Sequence, residues 1–283
     1  MIIQNVSDTA RWVAYYRAME SERPDAVFHD PFARRLAGPE GEAIVAAMQN
    51  GMGTGQPIVA RTVVFDEWVL DCVNNHGADC ILNLAAGLDA RAWRLSLPPS
   101  LHWIDVDLPE ILSYKTDVMR NERPTCHYEA FVANMTDPVV ADALLARIGA
   151  SYRRVLVITE GLLIYLTPEA VATLGRALHR QASFVWWISD LASPRVLQYI
   201  QKTRGDALKN APFRFAPANG TRFFLPLGWQ EVQFRSTVDE ARRLKRPMRR
   251  TWLLRLITFF SGPARRERIR RMSGYVMLAR LPA

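Results

Sequence analysis

Short apolar segments alternate with amphipathic stretches through the middle of the chain, and this pattern predicts its secondary structure. Apolar runs of strand length occupy residues 80–84, 101–108, 127–133, 154–160 and 182–190. Several of the stretches between them open with proline, which is favoured in the first turn of a helix. Strands that alternate with helices at this spacing predict an α/β fold, with a doubly wound, mostly parallel sheet and helices on both faces.

The alternation stops after the fifth predicted strand. Residues 191–224 combine a helical stretch with prolines and a glycine. Because an insertion at this point lies over the carboxyl ends of the strands, we expect it to form a lid. Two further strand-like segments, residues 229–235 and 275–281, predict an antiparallel pair that closes the sheet.

A predicted helix over residues 7–20 carries aromatic side chains such as Trp12 and Tyr16 on one face. This face either packs on the core or covers the mouth of an active site, and the pattern leaves both interpretations open. We assign residues 1–56 to an N-terminal helical cover and residues 1–283 to a single domain.

Composition and charge narrow the functional classes. The start of the chain lacks the pattern of a signal peptide, and no run approaches the ~18–20 apolar residues of a membrane span, so we expect a cytoplasmic protein. Cys72, Cys80 and Cys126 do not have the spacing of metal ligands, and no metal site is predicted. The net charge of +8 is concentrated in residues 242–271.

That basic segment surrounds an apolar run at residues 252–260. It is either a helix with one buried face or a docking surface for an anionic membrane or an acidic carrier protein. Charge alone is compatible with nucleic acid, but no recognition motif accompanies it, so no nucleic-acid partner is expected.

Residues 79–95 read D-C-I-L-N-L-A-A-G-L-D-A-R-A-W-R-L. They predict a buried strand, a sharp turn of small residues at 85–87 and the start of a helix, which is where α/β sheets bind nucleotides. A strand-ending acid about twenty residues further on contacts ribose hydroxyls in such sites, and both Asp105 and Asp107 satisfy that spacing. The turn has too few glycines for the dinucleotide fingerprint and identifies a nucleotide site only weakly.

Seven motifs in order give a more specific indication. They are T-A-R-W-V-A-Y-Y-R-A-M-E-S, D-P-F-A-R-R-L-A-G, A-R-T-V-V-F-D, N-L-A-A-G-L-D-A-R-A-W-R-L, D-V-D-L-P-E-I-L-S-Y-K, T-E-G-L-L-I-Y-L and F-F-L-P-L-G-W. The chain resembles the leucine carboxyl methyltransferase family, and in particular its bacterial O-methyltransferase branch, which includes polyketide carboxyl methyltransferases of the tetracenomycin type. The resemblance implies a class I methyltransferase fold with S-adenosylmethionine as methyl donor. A NAD-dependent dehydrogenase shares the strand–turn–acid layout but would not explain T-E-G-L-L-I-Y-L.

The resemblance also implies roles for individual residues. Arg61 matches the arginine that holds the donor's carboxylate, and Glu160 matches the acid near its amino group. Asp107 matches the ribose-binding acid, which favours it over Asp105. Asn134 stands where the family usually has an aspartate that pairs with adenine, and its side-chain oxygen can accept the same hydrogen bond. The remaining predicted donor contacts are Ala85, Ala86, Gly87, Leu108, Met135 and Gly161.

The methyl acceptor is less well defined by the sequence. No motif supplies an obvious base, which mildly favours a carboxylate, since a carboxylate is ionised at neutral pH and a phenol is not. We expect a small natural-product or fatty-acid-like acid, free or bound to a carrier protein, with Arg17 steering it and Arg11 as the second candidate. Tyr165 is a further candidate catalytic residue. Methylation of a hydroxyl and a non-catalytic donor-binding protein remain alternatives.

Overall fold

The computed structural model describes residues 6–48, 55–204, 210–246 and 261–282. The helices are α1 (Val6–Ser21), α2 (Ala33–Met48), α3 (Gln56–Asn74), α4 (Arg91–Arg94), α5 (Pro109–Met119), α6 (Pro138–Ser151), α7 (Pro168–His179), α8 (Pro194–Arg204), α9 (Thr237–Arg243) and α10 (Pro263–Arg270). The strands are β1 (Cys80–Leu84), β2 (His102–Asp107), β3 (His127–Val132), β4 (Val155–Thr159), β5 (Phe184–Ala192), β6 (Trp229–Ser236) and β7 (Ser273–Arg280). Two 3₁₀ segments lie at Leu163–Tyr165 and Gly220–Leu227.

The seven strands form one sheet in the order β3-β2-β1-β4-β5-β7-β6. The first five are parallel, and β7 runs antiparallel to both β5 and β6. The central strands β1 and β4 are buried along their whole length, as expected when helices cover both faces. The predicted doubly wound, mostly parallel sheet and its antiparallel closing pair are confirmed.

The sheet separates two apolar cores. On one face Trp187 packs edge-to-face against Phe224 and Trp229, with ring centroids 5.2 and 5.5 Å apart. On the other face α3 places Phe65 and Trp68 over the sheet. Burial of such large rings from both sides holds the strand ends in fixed positions, and those ends carry the site described below.

Two helices differ from their predicted form. The helix after the β1 turn is only one turn long, because the chain becomes extended at Leu95. Glycine commonly follows the end of a helix, but Gly38 lies at a kink inside α2, where its φ of +61° favours glycine. The helix predicted to start at Arg195 is α8, and it is described as far as Arg204.

Ion pairs connect the N-terminal helix α1 to Arg246, which belongs to the basic segment 242–271. Arg246 is buried and its guanidinium pairs with Glu20 of α1 at 2.7 Å and with Asp25 at 3.1 Å. Other arginines of the segment pair with acids of this chain as well: Arg242, Arg243, Arg270 and Arg271. The apolar run at 252–260 lies outside the described residues, so the predicted docking role of 242–271 stays a prediction. Within the described ranges, no helix is long and apolar enough to span a membrane.

Candidate functional site

A cavity of about 1150 Å³ opens at the carboxyl ends of the parallel strands. It lies where the strand order reverses between β1 and β4, which is the position at which open α/β sheets bind their ligands. Its volume exceeds the ~300–1,000 Å³ of a typical small-molecule pocket. The cavity therefore has room for two reactants side by side.

Twelve of the thirteen residues predicted as donor or acceptor contacts line this one cavity, and Arg11 is the exception. The sheet brings them together from the ends of β1, β2, β3 and β4, and α1 and α3 supply the other two, although they are spread along the chain. They are Arg17, Arg61, Ala85, Ala86, Gly87, Asp107, Leu108, Asn134, Met135, Glu160, Gly161 and Tyr165.

The turn after β1 is held by the acid that ends β2. The side chain of Asp107 accepts hydrogen bonds from the N–H groups of Gly87, at 2.6 Å, and Leu108, at 2.7 Å. Gly87 has a φ of +52°, and Ala85 has a φ of +53°, which is uncommon for a residue with a Cβ. Burial raises the pKa of Asp107 despite these two bonds. The turn thus keeps a glycine-like backbone with alanine at its first position.

The structure separates the two acids that the spacing left equivalent. Asp105 is completely buried and is not among the residues lining the cavity. Its carboxylate accepts bonds from Lys115 at 2.6 Å, Tyr128 at 2.8 Å and Trp103 at 2.8 Å. With these partners Asp105 stabilises β2 and α5 from within, and Asp107 is the acid that faces a ligand.

Arg61 and Glu160 form an ion pair at the opposite end of the site. Arg61 Nε lies 2.9 Å from Glu160 Oε1, but the N–H does not point at the carboxylate and makes no hydrogen bond. Burial alone would raise the pKa of Glu160, but Arg91 and Arg61 outweigh it and lower that pKa. Glu160 is therefore ionised at neutral pH, and Arg61 holds a buried N–H without an acceptor.

These two residues belong to a continuous chain of ion pairs. It runs from Arg17 on α1 to Asp190 at the end of β5, and adjacent members lie between 2.6 and 3.7 Å apart. It contains one more carboxylate than guanidinium, so its net charge is negative. Its members are Arg17, Asp30, Arg94, Asp66, Arg91, Asp89, Glu160, Arg61 and Asp190.

Asp190 and Asp66 were not predicted from the sequence. Asp190 ends the apolar run of β5 just as Asp107 ends β2, and that shared signal could have indicated it. Asp66 is buried on α3 and binds both Arg91 and Arg94. Asp89, which could cap the helix after the turn, does accept the backbone N–H of Arg91 at 2.9 Å and also pairs with its guanidinium.

The end of β3 contributes exposed polar and apolar groups to the cavity. Asn134 Oδ1 accepts bonds from both the N–H and the hydroxyl of Thr136, at 3.0 and 2.7 Å. Because these bonds use both lone pairs of the oxygen, the side-chain N–H₂ is the group left to face a ligand. Met135 packs against the core, and Leu108 is 43% exposed at the rim.

The other half of the cavity is mainly apolar. Trp12 of α1, Ile200 of α8 and Phe213 pack together with Tyr165, whose ring lies 5.2 Å from that of Phe213. The predicted cover helix and the segment after β5 both line this half. Burial raises the pKa of Tyr165, which keeps its hydroxyl protonated at neutral pH. The single-domain assignment and its cover and lid stay predictions.

The two arginines proposed to steer an acceptor are occupied. Arg17 is 6% exposed, and it donates to Asp30 at 2.9 Å and to the carbonyl of Leu88 at 2.5 Å. Arg11 pairs with Glu40 at 3.2 Å, lies over the ring of Tyr114 and does not line the cavity. Arg17 thus connects α1 to the β1 turn, and its predicted role toward an acceptor stays a prediction.

Comparison with known proteins identifies the family. Residues 10–179 match the family model for leucine carboxyl methyltransferase. A candidate S-adenosyl-L-methionine-dependent methyltransferase of Frankia alni is 30% identical in an alignment of length 257 that covers 84% of this chain and 88% of that protein. A second, from Streptomyces coelicolor, is 33% identical over 187 residues, or 62% of this chain and 65% of that protein's length.

Solved structures give the same fold. A crystal structure described as a methyltransferase candidate from Thermobifida fusca superposes with a TM-score of 0.61, covering 100% of this chain and 97% of the other at 17% identity. A DUF574 family protein from Streptomyces avermitilis gives a TM-score of 0.57, with 97% of both chains covered and 14% identity. The predicted class I methyltransferase fold is thereby confirmed.

The residues of the cavity fit S-adenosylmethionine. Its amino-acid end is a zwitterion, and the site offers Arg61, with an unused buried N–H, beside the ionised Glu160. Its sulfonium gives the donor a net positive charge, which the negative ion-pair chain complements. Asp107 offers the carboxylate that two ribose hydroxyls require. Together with the match over residues 10–179, this shows that the chain belongs to the leucine carboxyl methyltransferase family, a family of S-adenosylmethionine-dependent methyltransferases.

Proposed function

We propose that this protein transfers a methyl group from S-adenosylmethionine to the carboxylate of a small, largely apolar acid, forming a methyl ester. The observation that carries the proposal is the apolar chamber that continues directly from the donor-binding charges and whose described lining holds no histidine, lysine or cysteine. S-adenosylmethionine supplies an electrophilic methyl group on a sulfonium. The residues of this chain bind the two reactants, align them and exclude water.

The chemistry of the chamber favours a carboxylate acceptor. Among the described residues that line the cavity there is no histidine, lysine or cysteine. The lining acids Glu160 and Asp190 pair with Arg61, and Asp89 pairs with Arg91. The fourth lining acid, Asp107, accepts the backbone N–H groups of Gly87 and Leu108 and is assigned here to the ribose of the donor. A phenol or an alcohol would need a base to remove its proton, whereas a carboxylate is already ionised at neutral pH.

The shape and lining of the chamber favour an apolar body on that acid. Aromatic and aliphatic side chains reach it from α1, from the 3₁₀ segment at 163–165 and from α8, and examples are Trp12, Ile164 and Tyr199. A fatty-acid-like or aromatic natural-product skeleton buries its apolar surface there. The acid is either free or presented by a carrier protein.

Positioning accounts for the proposed catalysis. Aligning an acceptor oxygen with the donor's methyl group can lower the barrier by roughly 7–11 kcal/mol. When the acceptor enters the apolar half of the cavity, its carboxylate also loses hydrating water, which would otherwise reduce its reactivity toward the methyl group. Tyr165, protonated and at the junction of the two halves, is placed to donate a hydrogen bond to an acceptor rather than to act as a base.

Pairs of acceptors that share one skeleton test this proposal. The purified protein is incubated with S-adenosylmethionine and apolar acids, or with the corresponding primary alcohols and phenols, and the products are identified by mass spectrometry. We expect methyl esters of one or more acids and no methyl ethers. Ether formation with an alcohol or phenol and no ester with any acid would contradict the carboxylate assignment.

A further inference from the structure

Asp190 lies between the two elements that hold the donor's amino-acid end, and no comparison assigns it a role. Its Oδ2 is 3.2 Å from Arg61 Nη1, and its Oδ1 accepts the N–H of Gly161 at 2.6 Å. The residue lies two positions before the end of β5, while Glu160 and Gly161 follow the neighbouring strand β4. Asp190 therefore joins α3 to the loop after β4 through one carboxylate.

Arg61 is held by two carboxylates on different strands. Glu160 contacts its Nε and Asp190 contacts its Nη1, and both acids line the cavity. Glu160 also binds Arg91 at 2.7 Å. When a donor binds, Glu160 is shared between Arg61, Arg91 and the ammonium of the ligand. Glu160 alone would then hold the guanidinium of Arg61 only weakly, and Asp190 supplies the second contact.

Gly161 shows how closely this arrangement is packed. It has a φ of +67°, and a Cβ there would lie 3.3 Å from Arg61 Nη1. A side chain at this position would therefore crowd the guanidinium. One oxygen of Asp190 accepts the N–H of Gly161 and the other contacts Arg61. These contacts leave the guanidinium of Arg61 little freedom to turn.

We propose that Asp190 is a positioning residue for the donor's amino-acid end. It holds the guanidinium of Arg61 in place for the donor's carboxylate, so that Glu160 can accept the donor's ammonium without releasing Arg61. Two carboxylates and one guanidinium then face a ligand that brings two positive charges and one negative charge, and the assembled group is neutral. The proposal rests on the assignment of Arg61 and Glu160 to the donor.

Binding of two ligands that differ at one end tests the proposal. S-adenosylhomocysteine carries the amino-acid end, whereas 5′-methylthioadenosine has the same nucleoside without it. Both are titrated calorimetrically into the native protein, Asp190→Asn and Arg61→Gln. We expect Asp190→Asn to weaken S-adenosylhomocysteine by about tenfold and leave 5′-methylthioadenosine unchanged, because one charge-assisted contact is lost at the amino-acid end alone.

Each other outcome has a distinct meaning. Equal loss for both ligands would show that Asp190 supports the whole pocket, which overturns the proposal. Loss with Arg61→Gln but none with Asp190→Asn overturns it too, while leaving the donor assignment intact. If Arg61→Gln also has no effect, the donor assignment itself has failed.

Two further measurements separate positioning from general structure. Asp190→Glu keeps the negative charge and is expected to retain more affinity for S-adenosylhomocysteine than Asp190→Asn; an equal loss would argue against a charge that holds Arg61. Asp142→Asn removes an exposed partner of Arg180 far from the cavity and serves as the matched control. With any acceptor that is methylated, Asp190→Asn is expected to raise KM for the donor and leave kcat nearly unchanged.

Discussion

At the scale of single residues, Asp107 shows how burial and function oppose each other. Its carboxylate fixes the turn through Gly87 and Leu108 and faces the cavity, yet burial raises its pKa above the ordinary 3.8. A carboxyl with a raised folded-state pKa contributes to folding stability below its ordinary pKa and loses that contribution as the pH rises through the raised value. At neutral pH the ionised form therefore costs stability, whereas the predicted contact with the ribose hydroxyls requires it.

This opposition predicts the pH dependence of nucleoside binding. As the pH falls through the raised pKa of Asp107, the carboxylate is protonated and affinity for S-adenosylhomocysteine decreases. Glu160 and Asp89 have lowered pKa values and stay ionised in that range, so they do not produce the effect. Calorimetric titrations between about pH 7.5 and about pH 4.5 measure it.

The variant Asp107→Asn provides the comparison. It should bind S-adenosylhomocysteine more weakly at neutral pH, by about tenfold, and its affinity should change little across the same range. Asp142→Asn should behave as the native protein. A native affinity that stays constant down to the ordinary pKa of an aspartate, or an unchanged slope in Asp107→Asn, would contradict this role.

At the scale of elements, the sheet and its helices follow from local patterns, whereas the packing of charges between elements does not. Short apolar runs and helix-opening prolines indicate the strands and most of the helices. The strand-ending acid and the family motifs indicate Arg61, Asp107 and Glu160. The partnership of Arg61 with Asp190 joins residues 129 positions apart, and no local pattern encodes such a distance.

The short helix α4 illustrates why the ion pairs between elements could not be predicted from the sequence. Its sequence, R-A-W-R, continues a helical pattern, but both arginines turn inward to Asp66 of α3. Helical periodicity takes arginine as a solvent-facing residue, and only the fold reveals a buried carboxylate that receives two of them. Ion pairing thus fixes α4 on α3.

Removal of Asp66 should therefore loosen α4 and destabilise the fold. Asp66→Ala leaves Arg91 and Arg94 buried without their shared partner, and losing one member of a buried ion pair costs about 3–5 kcal/mol of the free energy of unfolding. The remaining contacts of Arg91 to Asp89 and Glu160 favour the lower end of that range.

Urea unfolding of the variant and of a control measures this cost. Asp142→Ala breaks the exposed pair with Arg180, whose side chains are 52% and 54% exposed, and should cost about 0–1 kcal/mol. If Asp66→Ala lost no more stability than Asp142→Ala, the ion pairs between α3 and α4 would not be what holds these helices together.

At the scale of the whole molecule, the charge at the cavity is opposite in sign to the net charge of the chain. The chain carries a net charge of +8, but the groups that meet the donor form a chain with a negative net charge. Side chains of α1 and α8 line the apolar half of the same cavity. The proposed function places a positively charged donor and an apolar acid side by side in this space.

One measurement tests the central claim of methyl transfer to a carboxylate most directly. S-adenosylmethionine labelled in its methyl group is incubated with the protein and an extract of apolar metabolites, and the labelled products are then treated with mild alkali. We expect label to be transferred to products that mild alkali hydrolyses, because methyl esters release labelled methanol under these conditions. Label that alkali does not release would indicate an ether, and no transfer to any metabolite would indicate a protein that binds the donor without using it.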